Sequence, residues 1–159
     1  MPTPVEAAAA RAADVLRELQ AVPAIAQAMA AAPREVRDSL PRVLAASDFV
    51  AESCTRDPEA MAALLASDLR APRTAEQYAA TAQAEGRHAD EAQFQAWIRR
   101  WRRREMLRIA WRDLAGWADG AETLAGLSAF ADAAIEAASR FATGGVRNGP
   151  PGSATTSPT

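Results

Sequence analysis

The chain has 159 residues, the length of one domain, and about half of them are apolar. Alanine supplies most of that half and buries little area per residue. A net charge of -2 excludes binding to nucleic acid through overall charge, so any basic surface must be local. All eighteen basic residues are arginine, which together with the alanine excess reads as GC-rich coding. Cys54 is the sole cysteine, so no internal disulfide is possible, as suits a reducing cytoplasm. The start, MPTPVEAAAARAADVL, lacks the basic and leucine-rich pattern of a signal peptide. No charge-free run of about 20 apolar residues occurs, so a cytoplasmic protein without a membrane span is expected.

The predicted elements follow in chain order. Thr3, Pro4 and Glu6 have the spacing of a capping box. Val5, Ala8, Ala12, Val15, Leu16 and Leu19 then recur at helical period. Pro23 interrupts, and Ile25, Ala28 and Met29 continue as a short second helix. Pro33 opens a third, with Val36, Leu40, Val43 and Leu44 on one face, and Pro41 should bend or split it. Ser47 caps a fourth whose inner face is Phe49, Val50 and Cys54. Asp57, Pro58 and Glu59 start a fifth, with Met61, Leu64 and Leu65 inward. After a loop at 71–74, Thr74 with Gln77 opens a polar helix over 75–84. Its one large apolar residue is Tyr78, so it should be mobile or lightly docked. Gly86 ends it.

A long helix is predicted from about Asp90 to Trp117, broken by Ala118-Asp119-Gly120. The last runs from Ala121 to Phe141, with Leu124, Leu127, Ala131, Ala134, Ile135 and Ala138 facing inward. The two should form a helical hairpin. From Thr143 the sequence TGGVRNGPPGSATTSPT has too little apolar surface to offset the entropy of ordering, and a disordered tail is expected. The expected fold is all-α: a bundle of about six or seven helices, with the long Trp/Arg-rich helix paired to the last.

That long helix, FQAWIRRWRRREMLRIAWRDLAGW over 94–117, holds all four tryptophans. At 100° per residue, Phe94, Trp97, Ile98 and Trp101 share one stripe, and Met106, Ile109, Ala110, Leu114 and Trp117 lie on another. Such a helix needs apolar partners on two sides: the last helix, and the helices before Leu69. Arg99, Arg100, Arg102, Arg103, Arg104, Arg108 and Arg112 are the candidate functional residues. They read as a solvated face, with Glu105 pairing to Arg108 or Arg102; as a docking face for an acidic domain or subunit; or as a nucleic-acid helix. The acidic net charge and the anchoring role of the tryptophans weigh against the last.

Two stretches, ASDFVAESCTRDPEAMAALL at 46–65 and the run from Phe94 to Ala138, carry a family resemblance. Within the second, RRxRRREMxRIxWRDL followed by ETLxxLSxxADAAI is long and specific. The chain resembles the N-terminal region of the bacterial bifunctional glutamine synthetase adenylyltransferase/adenylyl-removing enzymes. The resemblance divides it into alanine-rich helices (1–44), a family-like helical region (45–142) and the tail (143–159). It implies nucleotidyl transfer with ATP and Mg²⁺ in the control of nitrogen assimilation. It implies glutamine synthetase, the nitrogen-regulatory PII protein and the enzyme's own catalytic domain as partners.

A Gly-rich turn and an Asp-x-Asp pair are expected soon after Phe141, but no aspartate follows Asp132. No catalytic, cofactor-binding or metal-binding residue is therefore assigned. The expectation is a truncated family member, inactive alone, with part of Trp97, Trp101, Trp111 or Trp117 uncovered and prone to self-association. His88, the single histidine, is expected to be exposed.

Overall fold

A computed structural model describes residues 1–88 and 90–146, with side chains through Thr143. The all-α expectation holds. Eight helices are described: α1 (Pro4–Gln20), α2 (Pro23–Ala31), α3 (Arg34–Ala46), α4 (Asp48–Arg56), α5 (Pro58–Ala66), α6 (Ala75–Glu85), α7 (Glu91–Leu114) and α8 (Gly120–Val146). They match one for one the elements predicted in chain order, although the bundle as a whole was expected to have about six or seven.

The starts are set by side chains that accept the orphan N–H groups of a first turn. Thr3 and Thr74 form complete capping boxes with Glu6 and Gln77. Ser47, Asp57 and Asp90 cap α4, α5 and α7. α3 runs through Pro41 without splitting.

α7 stops earlier than expected. Gly116 takes a positive φ of 75°. Its N–H donates to the Asp113 carbonyl, and the Trp117 N–H donates back to Arg112 at 2.8 Å. This pair of bonds is a Schellman stop, which leaves Trp117 beyond the helix. Replacing Gly116 with alanine should cost about 1 kcal/mol, since a Cβ disfavours that conformation. Urea denaturation reads the loss. α8 also differs from its prediction: it continues through Thr143 to Val146. The rest of the predicted tail lies outside the described residues.

The helices pack around two apolar clusters. The first joins α1 to α5 through Leu19, Ile25, Val43, Val50, Met61 and Leu65, and takes in Leu107 and Trp111 of α7. The second joins α6, α7 and α8 through Tyr78, Phe94, Trp97, Trp101, Phe130, Ala133 and Ala137. α7 thus serves both, as its two apolar faces require. Trp97 and Trp101 stack at 5.0 Å between ring centroids, and Phe130 meets Trp101 edge-on at 4.9 Å.

Several side chains sit where the sequence did not place them. Trp97, Trp101 and Trp111 are buried, and of the four tryptophans Trp117 alone is partly uncovered, as the expectation of one partly exposed tryptophan allowed. A larger uncovered apolar surface is on α8. Leu124 and Ile135 are 63% and 66% exposed, and Leu127, Ala131 and Ala138 face outward with them. Phe130, Ala133 and Ala137 form the inner face. α6 is firmly docked through buried Tyr78 and Ala82. His88 is half-buried against Phe94 and Trp97. Cys54 is fully buried, and its thiol is pushed up to about 12 by burial, which keeps it protonated and inert.

Candidate functional site: the arginine helix

The seven candidate arginines divide by burial. Arg99, Arg100 and Arg102 are exposed, Arg103 and Arg104 are half-buried, and Arg108 and Arg112 are buried. Their spacing along α7 explains the division. Glu105, Arg108 and Arg112 fall on one helical face at i, i+3 and i+7. That face looks onto the α5–α6 connection, residues 67–74.

This connection has few backbone partners of its own, so its carbonyls need donors. The Arg108 guanidinium donates to Ser67 Oγ at 3.1 Å, to the Ala71 carbonyl at 2.8 Å, and to the Asp68 carbonyl. Arg112 donates to the Leu69 carbonyl at 3.5 Å and pairs with Glu122 of α8. Arg73, at the end of the connection, returns to Glu105 Oε1 at 3.0 Å, an oxygen shared with Arg104 Nε at 3.3 Å.

Glu105 is 0% exposed. Its partners are Arg73 and Arg104, not the Arg108 or Arg102 expected for a solvated face. The network is a buried clamp. Burial lowers the pKa of Arg108, and the Arg73 charge adds to that, while Glu105 opposes it. Burial and the Glu105 charge raise Tyr78.

The other arginines form a different surface. Among the described residues, no ion pair involves Arg99, Arg100, Arg102 or Arg103. They occupy two turns of α7, a short basic patch facing solvent. The aromatic groups that would stack on bases in a nucleic-acid helix, Trp97 and Trp101, are turned into the second cluster. The patch therefore offers charge and hydrogen-bond donors without a stacking platform.

Sequence reasoning missed the clamp. Its signal was angular: at 100° per residue Glu105, Arg108 and Arg112 all fall on the Phe94, Trp97 and Trp101 stripe, which marks them as inward. Thr123 of α8 adds a smaller tie, donating to Asp113 Oδ1 at 3.1 Å. No group of three or more His, Cys, Asp or Glu side chains that could hold a metal ion occurs among the described residues. No helix among them is long and apolar enough to cross a membrane.

The sequence that builds this helix and bundle matches a known enzyme family. The model of the glutamate-ammonia ligase adenylyltransferase family fits residues 37–152, and the chain belongs to that family. Among its relatives is the bifunctional glutamine synthetase adenylyltransferase/adenylyl-removing enzyme of Pseudomonas aeruginosa, 42% identical over 143 residues. That match covers 87% of this chain and 14% of the relative. The Pseudomonas putida enzyme of the same name is 42% identical over 107 residues, covering 64% of this chain and 11% of the relative. The Nitrosococcus oceani enzyme is 39% identical over 98 residues, covering 60% and 10%. The chain spans at most about a seventh of the length of these relatives. No solved structure matches it.

Proposed function

We propose that the chain is a helical part of an enzyme that adenylylates and deadenylylates glutamine synthetase, and that it works there as a docking segment. Family membership over residues 37–152 carries this reading. The contact residues are Arg99, Arg100, Arg102 and Arg103, whose guanidinium groups suit carboxylates on a facing acidic surface. Arg104, Arg108 and Arg112 hold the helix in place for them.

The outward face of α8 supports membership in a larger assembly. A stripe of Leu124, Leu127, Ala131, Ile135 and Ala138 is an unusual surface to leave in water. The relatives carry far more polypeptide with which to cover it. On this reading the segment is inactive alone. ATP and Mg²⁺, as cofactors of the intact enzyme, belong to this proposal, and no step through either is assigned to this chain. A cytoplasmic location, and PII as a regulatory partner, belong to the same proposal.

The test is binding of the purified chain to glutamine synthetase and, separately, to the remaining portion of a family member. Affinity for one of them should fall at least tenfold in the double variant Arg99→Glu, Arg102→Glu, and should weaken as salt rises. Both substituted side chains are exposed, so the fold should survive. Failure of the unaltered chain to bind either protein at low salt would sink the docking role.

A further inference from the structure

A cavity of about 270 Å³ lies between the start of α6, the middle of α7 and the first turns of α8. Arg73, Arg108, Arg112 and Glu122 line it. Arg73 pairs with Glu105 and Arg112 with Glu122, so Arg108 is the lining cation without a carboxylate of its own. Arg108 is only 5% exposed, and its Nε has no hydrogen-bond partner. The opposite wall is apolar, formed by Ile109 and by Gly126, whose missing side chain keeps the space open. The space is ample for a small organic ligand as well as water.

We propose that this cavity binds a small aliphatic carboxylate. The carboxylate group would lie against Arg73 and Arg108, and a stem of about four or five carbons would lie along Ile109 and Gly126. A buried guanidinium such as Arg108, with no paired carboxylate and an unsatisfied Nε, is costly without a counter-ion. An anion supplies one, and a planar carboxylate matches the guanidinium fork. A purely inorganic anion leaves the apolar wall unused. The site goes beyond the docking role, since it is a cleft between α6, α7 and α8 and uses none of the outward arginines.

The experiment is a set of thermal melts of the full chain in sodium pentanoate, sodium phosphate, pentanamide and sodium chloride, the salts at equal ionic strength. Pentanoate at about ten times its Kd should raise Tm by roughly 3–6 °C, and the other three should not. Gly126→Leu plugs the cavity. A Cβ there would meet only Ile109 side-chain atoms at 3.9 and 4.0 Å, so this variant should stay folded and lose the pentanoate shift. Arg73→Gln should weaken pentanoate at least tenfold. Overturning results are equal shifts in pentanoate and chloride, no pentanoate shift, or a shift that persists in Gly126→Leu. A phosphate shift as large as that of pentanoate would overturn it too, in favour of an inorganic oxyanion site.

Discussion

Replacing Arg108 with methionine should lower the melting temperature by roughly 10–15 °C, a loss of about 3–5 kcal/mol. Two effects oppose each other. The variant removes a desolvated cation, which by itself is favourable. It also removes the donors to Ser67 Oγ and to the Asp68 and Ala71 carbonyls. A carbonyl left without a donor costs about 1–3 kcal/mol where water cannot replace it, and the two part-buried carbonyls lose their donor together. Methionine keeps most of the packing of the alkyl stem, so the measurement isolates the polar loss. Arg108→Lys should recover only part, because one ammonium cannot reproduce the planar fork. A methionine variant melting within about 2 °C of the parent would show that the 67–74 connection is held by packing alone.

Trp111→Ala should cost a similar amount, about 3–5 kcal/mol, by a different route. Trp111 is 0% exposed in the first cluster. Its indole N–H donates to Ser39 Oγ at 2.9 Å, tying α7 to α3. Truncation opens a large cavity and leaves Ser39 with its bond to the Val36 carbonyl alone. Trp111→Phe separates the terms. It keeps most of the volume and loses the hydrogen bond, so its cost should be about 1–2 kcal/mol. Equilibrium unfolding in urea distinguishes the two, and equal losses would contradict the cavity argument.

Much of the fold was legible because helix starts are written locally. Thr3, Ser47, Asp57, Thr74 and Asp90 cap or begin helices within reach of their own side chains. One face of α7, with Phe94, Trp97 and Trp101, was legible because large aromatic residues favour the inside. The other was only partly so: Ala110, Leu114 and Trp117 meet the first cluster but Met106 meets the second, and buried Leu107 and Trp111 lay off the predicted stripe. The orientation of α8 was not. That helix carries two apolar stripes, one with Leu124, Leu127 and Ile135 and one with Phe130, Ala133 and Ala137. Periodicity favoured the first because its side chains are larger. Packing chose the second, because Phe130 completes the Trp97–Trp101 stack and small residues let α8 approach α7 closely. The docking of α6 was missed likewise, since a single tyrosine at the right place outweighs a polar average.

The arginine site was half legible. Spacing alone marked a basic helix, but in a run of seven similar residues the angular signal of Arg108 and Arg112 is easily passed over. Arg108 and Arg112 are buried because of what lies opposite them, an irregular connection short of donors. No local pattern on α7 announces that partner. The end of α7 was placed at Trp117, past its true stop, because the expectation followed the aromatic run, whereas the positive φ of Gly116 ends the helix.

α7 threads both clusters, and this sets how the molecule comes apart. Trp97 and Trp101 report on one cluster and Trp111 on the other, yet one unbroken ladder of backbone bonds joins them. Neither half can open alone without melting turns that the other half also uses. Amide protons near Arg104 and Glu105, at the junction, should therefore exchange only through openings that involve both halves. Those at the free ends of α1 and α8 escape one helix at a time. The Trp/Arg helix is then the axle of cooperativity, and the same turns that hold the buried clamp decide whether the protein unfolds in one step or two.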